Sequence, residues 1–263
     1  MLLSAGRQAL TLPELETETQ RVLDYAGERG IALARELEQG PKVTVAVAVE
    51  ALHGAGFLEI YDKGIEPVYS VSESARHIAS YYRNTIIHFF LVRAITSLAR
   101  TAAKGGKSVE SWALRLRELL KFDFFFSERD AFGAQVEREE QSLTREEQAG
   151  VPAMGAARPR ILLDYLESYL VVTRTLLSLP EPSSPLAQPE LLRRCHAVGR
   201  QLLRQDRVHA PELLSSVNFR NALKLAENLG AVEHSAKGYL PGDREALSAL
   251  AEDLEHLARL ARK

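Results

Sequence analysis

Tyr81, Asn84 and His88 fall three and then four residues apart, so on a helix they share one strip carrying a phenol, a carboxamide and an imidazole. Such a set could relay a proton through His88 or hold a polar ligand. No second histidine or carboxylate stands at metal-ligand spacing from His88, and no nucleophile is matched to it, so neither a metal site nor acid–base chemistry is specified. The alternative is structural: a buried, mutually satisfied network that docks the N-terminal helices against the later half of the chain. On that expectation Tyr81, Asn84 and His88 are buried and hydrogen-bonded. Asn84→Ala then costs about 1–3 kcal/mol, and Arg76→Ala, on a more polar part of the same helix, costs little. Gly106-Lys107-Ser108 invites a phosphate-loop reading, but Thr101 stands where that loop needs its first glycine, and the segment follows a helix instead of a strand. Cys195 is the only cysteine, which fits a reducing compartment and a buried small side chain better than a nucleophile. No catalytic residue, metal or cofactor is predicted.

The element that must position this strip runs from Ser72-Glu73, a helix start, to Gly105-Gly106, a stop, with no proline between them. One long helix is predicted there, with Tyr81, Tyr82, Arg83, Asn84 and His88 near its middle. Ile78, Tyr82, Thr85, Phe89, Val92 and Ala99 line one face, while Ile87, Phe90, Leu91, Ala94 and Leu98 line another, which predicts burial on both sides. The apolar run from Thr85 to Ala99 is interrupted by His88 and Arg93 and is shorter than the roughly 20 residues that cross a bilayer.

Around it the pattern is mainly α: a multi-helix body with one or two small β-hairpins that would form winged-helix-like units. Leu12 to Arg29 and Pro41 to Ala55 read as helices, and Phe57–Tyr61 and Val68–Val71 as a hairpin about Asp62-Lys63-Gly64. The helix-then-hairpin order recurs from Asn221 through Ala231–His234 and Tyr239-Leu240, followed by a helix from Asp243. Ser108 to Leu120 reads as a helix, and Lys121 to Phe126 as an aromatic turn. Its Phe124, Phe125 and Phe126 serve as core or as a contact for an acyl chain or membrane, and exposure decides between these. Gln148 to Arg160 and the proline-bearing Leu179 to Gln188 read as linkers, giving a helical domain over 1–150 and a second over 151–263.

The 263 residues, 46% hydrophobic and 26% charged, suffice for a sizeable core. A formal net charge of −2 disfavours a nucleic-acid footprint, and Val43 to Ala55, the helix that would read DNA in a winged helix, contains no Arg or Lys. No secretory leader follows Met1-Leu2-Leu3, so a cytoplasmic location is expected, peripheral to the cytoplasmic membrane at most.

Two segments carry a family resemblance. YYRNTIIHFF, residues 81–90, and LRELLKFDFFFSERDAF, residues 116–132, resemble in order and spacing the C-terminal half of the glycerol-3-phosphate and dihydroxyacetone-phosphate acyltransferases, starting near LLSAGRQALTLPEL. The resemblance implies a role in phospholipid synthesis at a membrane surface and a catalytic acyltransferase domain or subunit as partner. In the family that domain uses a His and an Asp separated by four residues to deprotonate the glycerol-3-phosphate hydroxyl. The residues five places after the seven histidines are Leu58, Tyr82, Arg93, Gln201, Leu214, Tyr239 and Ala261, none of them Asp. The family's glycine- and arginine-bearing phosphate block has no counterpart here. The expectation is a non-catalytic scaffold or regulatory half. The alternatives are a winged-helix module binding nucleic acid or protein, and an enzyme whose site escapes motifs.

Overall fold

The structure, a computed structural model, describes every residue except 7, 152–153, 181–183, 211, 213 and 263. Residues 152–153 and 181–183, within the two segments read as linkers, lie outside the described residues. The chain forms two compact units, Met1–Leu91 with Arg145–Ile161, and Val92–Thr144 with Leu162–Lys263.

In the first unit, Thr11 and Glu14 close a reciprocal capping box at the start of α1 (Leu12–Glu28), with Pro13 in the first turn, where no amide is missed. A 3-10 turn over Arg35–Gln39 leads into α2 (Pro41–Gly54), which packs on α1. The segment Leu10–Thr11 (β1) precedes α1, and a hairpin of Leu58–Tyr61 (β2) and Val68–Val71 (β3) follows α2. β3 is central, paired antiparallel with β2 in the register Leu58↔Val71 and Ile60↔Tyr69, and with β1 in the register Leu10↔Tyr69. The hairpin was legible from its sequence; two-residue β1 is too short to announce itself. Helices followed by a hairpin whose returning strand pairs with an earlier strand form a winged-helix-like unit.

The predicted long helix is interrupted. α3 (Arg76–Ile86) gives way to a 3-10 turn over Ile87–Phe89, and α4 (Leu91–Ala103) begins after Phe90. Thr85 to Phe90 is a run of β-branched and aromatic residues and one histidine, all weak helix formers, which accounts for the tightened backbone. The turn also re-phases the faces, so apolar positions aligned in the sequence do not lie on one side. α4 is buried nearly all round, as expected, with Ala94, Ile95, Leu98 and Ala99 fully enclosed. The face of α3 bearing Ile78 and Tyr82 is not buried, contrary to expectation.

The second unit is organised on α7 (Leu163–Leu177), which is buried along nearly its whole length. Ahead of it come α5 (Val109–Leu120), capped by the Ser108 hydroxyl, and α6 (Arg129–Gln148). Arg93 of α4 donates to Glu139 of α6 at 3.2 Å in a buried ion pair, which explains a charge in the middle of an apolar helix. After α7 come α8 (Gln188–Arg204), α9 (Ser216–Asn228), a hairpin of Val232–Ser235 (β4) and Gly238–Pro241 (β5), and α10 (Arg244–Ala261), capped by Asp243. α10, α9 and α8 all pack against α7. The fold is thus mainly helical with two small antiparallel sheets. Among the described residues no single helix is long and apolar enough to cross a membrane.

Candidate functional site

On α3 the polar strip proposed from spacing is not a buried network. Tyr81 is 68% exposed, His88 is exposed with its ring against Phe89, and Asn84 is half-buried. Asn84 Oδ1 accepts from Arg83 Nε at 3.1 Å and Nη2 at 2.8 Å, and the same guanidinium donates to Ser80 Oγ at 3.2 Å. The inward face is instead the polar one. Arg76, expected to be dispensable, is only 6% exposed and donates to the Gly6 carbonyl at 3.1 Å, and Ser80 is buried beside it. Outside lie Ile78, Tyr81, Tyr82 and Ile86, continued by Phe89. These positions are spaced three and four apart, which makes them one stripe along the helix. α3 is therefore an amphipathic helix with its apolar stripe facing solvent, the reverse of the usual arrangement.

Beside that stripe, α1, α2 and α3 enclose a groove of about 670 Å³ lined almost wholly by apolar side chains, among them Leu15, Leu23, Val45, Val49, Phe57 and Tyr82. α2 adds to the apolar surface. Val45 is its one fully buried residue, while Val43, Val47 and Leu52 face solvent. Tyr81 and Tyr82 meet edge-to-face, and Tyr82 meets Phe57 in the same way at 6.1 Å.

In the second unit, the aromatic turn after α5 divides between the two roles considered for it. Phe124 packs edge-to-face on Tyr165 at 4.9 Å, and Phe126 on Phe132 at 5.5 Å, while the Arg117 guanidinium lies over both Phe126 and Phe132 and donates to the Ser127 carbonyl. Phe125 alone is fully exposed. Asp123 anchors the turn: it accepts from the Tyr169 hydroxyl of α7 and from Asn221 Nδ2 of α9 at 2.9 Å. Burial pushes its carboxyl up to about 6, against the opposing pull of those two hydrogen bonds.

A second carboxylate, Glu167 of α7, is fully enclosed. Its Oε2 accepts from the His209 and Ala210 amides at 2.7 and 2.8 Å, and its Oε1 from Arg262 Nη2 at 2.9 Å. Burial raises its pKa while these donors pull it down. Sequence reading passed over Asp123, Glu167, Tyr169 and Asn221. The available signal was an acid inside KFDFFF and another inside LDYLESYLVV, where neighbouring residues leave no solvated face. Each of these acids is held by the protein's own donors, and among the described residues no group of three metal-binding side chains occurs. The Cys195 thiol is buried and pushed up to about 11, so it is a poor nucleophile.

This is a mainly helical region in which Arg93, Asp123 and Glu167 tie helices together, and in which, among the described residues, most large exposed hydrophobic side chains belong to the first unit. The chain belongs to the family described as the glycerol-3-phosphate acyltransferase C-terminal region, which it matches over residues 1–235. Among curated proteins, one named "Putative acyltransferase plsB1" occurs in Mycobacterium tuberculosis strain H37Rv and in Mycobacterium bovis. Both are 30% identical over 250 residues, an alignment covering 88% of this chain and 40% of theirs. The chain thus spans less than half the length of these relatives.

Proposed function

We propose that this chain is the non-catalytic, accessory half of a glycerol-3-phosphate acyltransferase, supporting a catalytic acyltransferase domain or subunit in phospholipid synthesis. The observation that carries this reading is the family match over residues 1–235 in a sequence whose seven histidines have no Asp five positions on. Two carboxylates agree with it: part-buried Asp123 and fully enclosed Glu167 are both engaged by donors from neighbouring elements of the fold. The reaction would then take place on the part supplied by the partner, at the cytoplasmic face of a membrane on which the chain sits peripherally. Phe125, projecting alone from an otherwise packed turn, is suited to touch that surface. The winged-helix-like unit is better suited to protein than to nucleic acid, because α2 presents valines where phosphate contacts need Arg or Lys.

The test is an acyl-transfer assay with glycerol-3-phosphate and an acyl-CoA. The purified chain forms no product above background. The part of the M. tuberculosis relative outside its match to this chain, supplied as a separate polypeptide, transfers faster when the chain is added. Product from the chain alone, abolished by a point substitution in it, overturns the reading.

A further inference from the structure

We propose that the outward stripe of α3, with the α1–α2–α3 groove beside it, is the seat of the acyltransferase portion of a family chain, which would lay an apolar helix face across it. Three observations point to this. First, the orientation of α3 is inverted. A helix that folds for its own unit turns its apolar stripe inward, yet here Arg76 and Ser80 are inside while Ile78, Tyr81, Tyr82 and Ile86 are in water. Second, the exposure is localised. Among the described residues, Phe125 and Val217 are the only large exposed hydrophobic side chains of the second unit; the rest, including Val47 at 62% and Leu52 on α2, belong to the first. Exposed apolar side chains concentrated on one unit, with four of them in one stripe along α3, mark an interaction site better than scattered ones do. The adjoining groove accepts apolar side chains and offers few polar partners, which fits ridges of a helix better than a polar ligand. Third, the curated relatives, each named a putative acyltransferase, carry a majority of their length beyond the part this chain matches, so the occupant proposed here would be supplied by the same polypeptide there. Tyr81 and Tyr82 suit such a seat, since each offers a broad ring at the cost of ordering few torsions.

This assignment rests on the accessory-half reading, and the experiment separates the two. The full chain is titrated against the M. tuberculosis relative's unmatched part, purified separately, and binding is compared with that of the variant carrying Ile78→Ser, Tyr82→Ser and Ile86→Ser. Leu52→Asp serves as an independent single substitution on α2, at a residue that lines the groove and is exposed. The parent is expected to bind saturably, and each variant at least ten-fold more weakly, with unfolding midpoints near the parent's. If the parent binds and both variants bind equally well, the surface is wrong while the accessory reading survives. If the parent neither binds nor alters acyl transfer, both fail. Two further outcomes overturn the surface assignment. In one, the variants turn a parental dimer into a monomer without affecting partner binding. In the other, they lose only adhesion to vesicles of phosphatidylglycerol and phosphatidylethanolamine.

Discussion

Asp123 lies where an ionised carboxylate is costly, and its pH linkage follows. Its pKa is near 6 in the folded protein against an ordinary 3.8, so between those values the folded chain binds more protons than the unfolded one. Stability from this group is therefore fully present below about pH 4 and declines as pH rises toward and past 6, by about 2–3 kcal/mol. Asp123→Asn removes the titration and keeps the shape: the amide oxygen can accept from Asn221 while its nitrogen donates to Tyr169. Urea denaturation at pH 4.5 and pH 7 should show the variant gaining on the parent by about 2 kcal/mol between the two; a constant difference would contradict the linkage. Arg76 and Asn84 exchange their expected importance. Arg76→Ala removes a buried donor from the Gly6 carbonyl and should cost about 1–3 kcal/mol, whereas half-exposed Asn84 should cost under about 1 kcal/mol on replacement by Ala. Denaturation midpoints of the two variants decide the order.

At the scale of elements, most boundaries were legible because their signals are local. Ser108 and Asp243 start helices by capping, and Asp62-Lys63-Gly64 turns a hairpin, whereas the Thr11–Glu14 capping box of α1 emerged only with the structure. What could not be read was the side each element turns toward its neighbours. Hydrophobic periodicity placed Ile78, Tyr82 and Phe89 on one face but put Tyr81 on the polar strip and Ile86 on neither apolar face, and periodicity carries no information about whether a stripe meets core or water. The break at Ile87–Phe89 left only a weak trace, a run of poor helix formers that tertiary packing can override in either direction. The second hairpin shows a constraint that composition hides. Gly238 has φ +125°, and a Cβ there would lie 2.1 Å from the Leu186 carbonyl oxygen, where Leu186 and Tyr239 exchange backbone hydrogen bonds of 2.8 and 2.9 Å. Gly238→Ala must displace that bridge as well as adopt a conformation unfavourable to a side chain. A loss of about 2 kcal/mol or more is expected, visible as a lowered unfolding midpoint and as faster amide exchange at Tyr239.

For the whole molecule, two apolar features call for different partners, which makes their roles separable. The α3 stripe is broad and adjoins a groove, as a protein partner requires; Phe125 is a single ring standing out from a turn whose other aromatics are packed. A lone phenylalanine can enter the boundary between headgroups and acyl chains with no complementary groove, and its full transfer from water is worth about 1.5–3 kcal/mol. Phe125→Ser should therefore lower partitioning onto phosphatidylglycerol-containing vesicles by about ten-fold or more, while leaving stability within about 0.5 kcal/mol, because the side chain makes little contact within the fold. Substitutions on the α3 stripe should weaken partner binding and leave vesicle partitioning nearly unchanged. Vesicle sedimentation with the parent, Phe125→Ser and the α3 triple variant reads both effects. Equal partitioning by parent and Phe125→Ser would remove the turn from any membrane role and leave protein contact as the function of the exposed apolar surface.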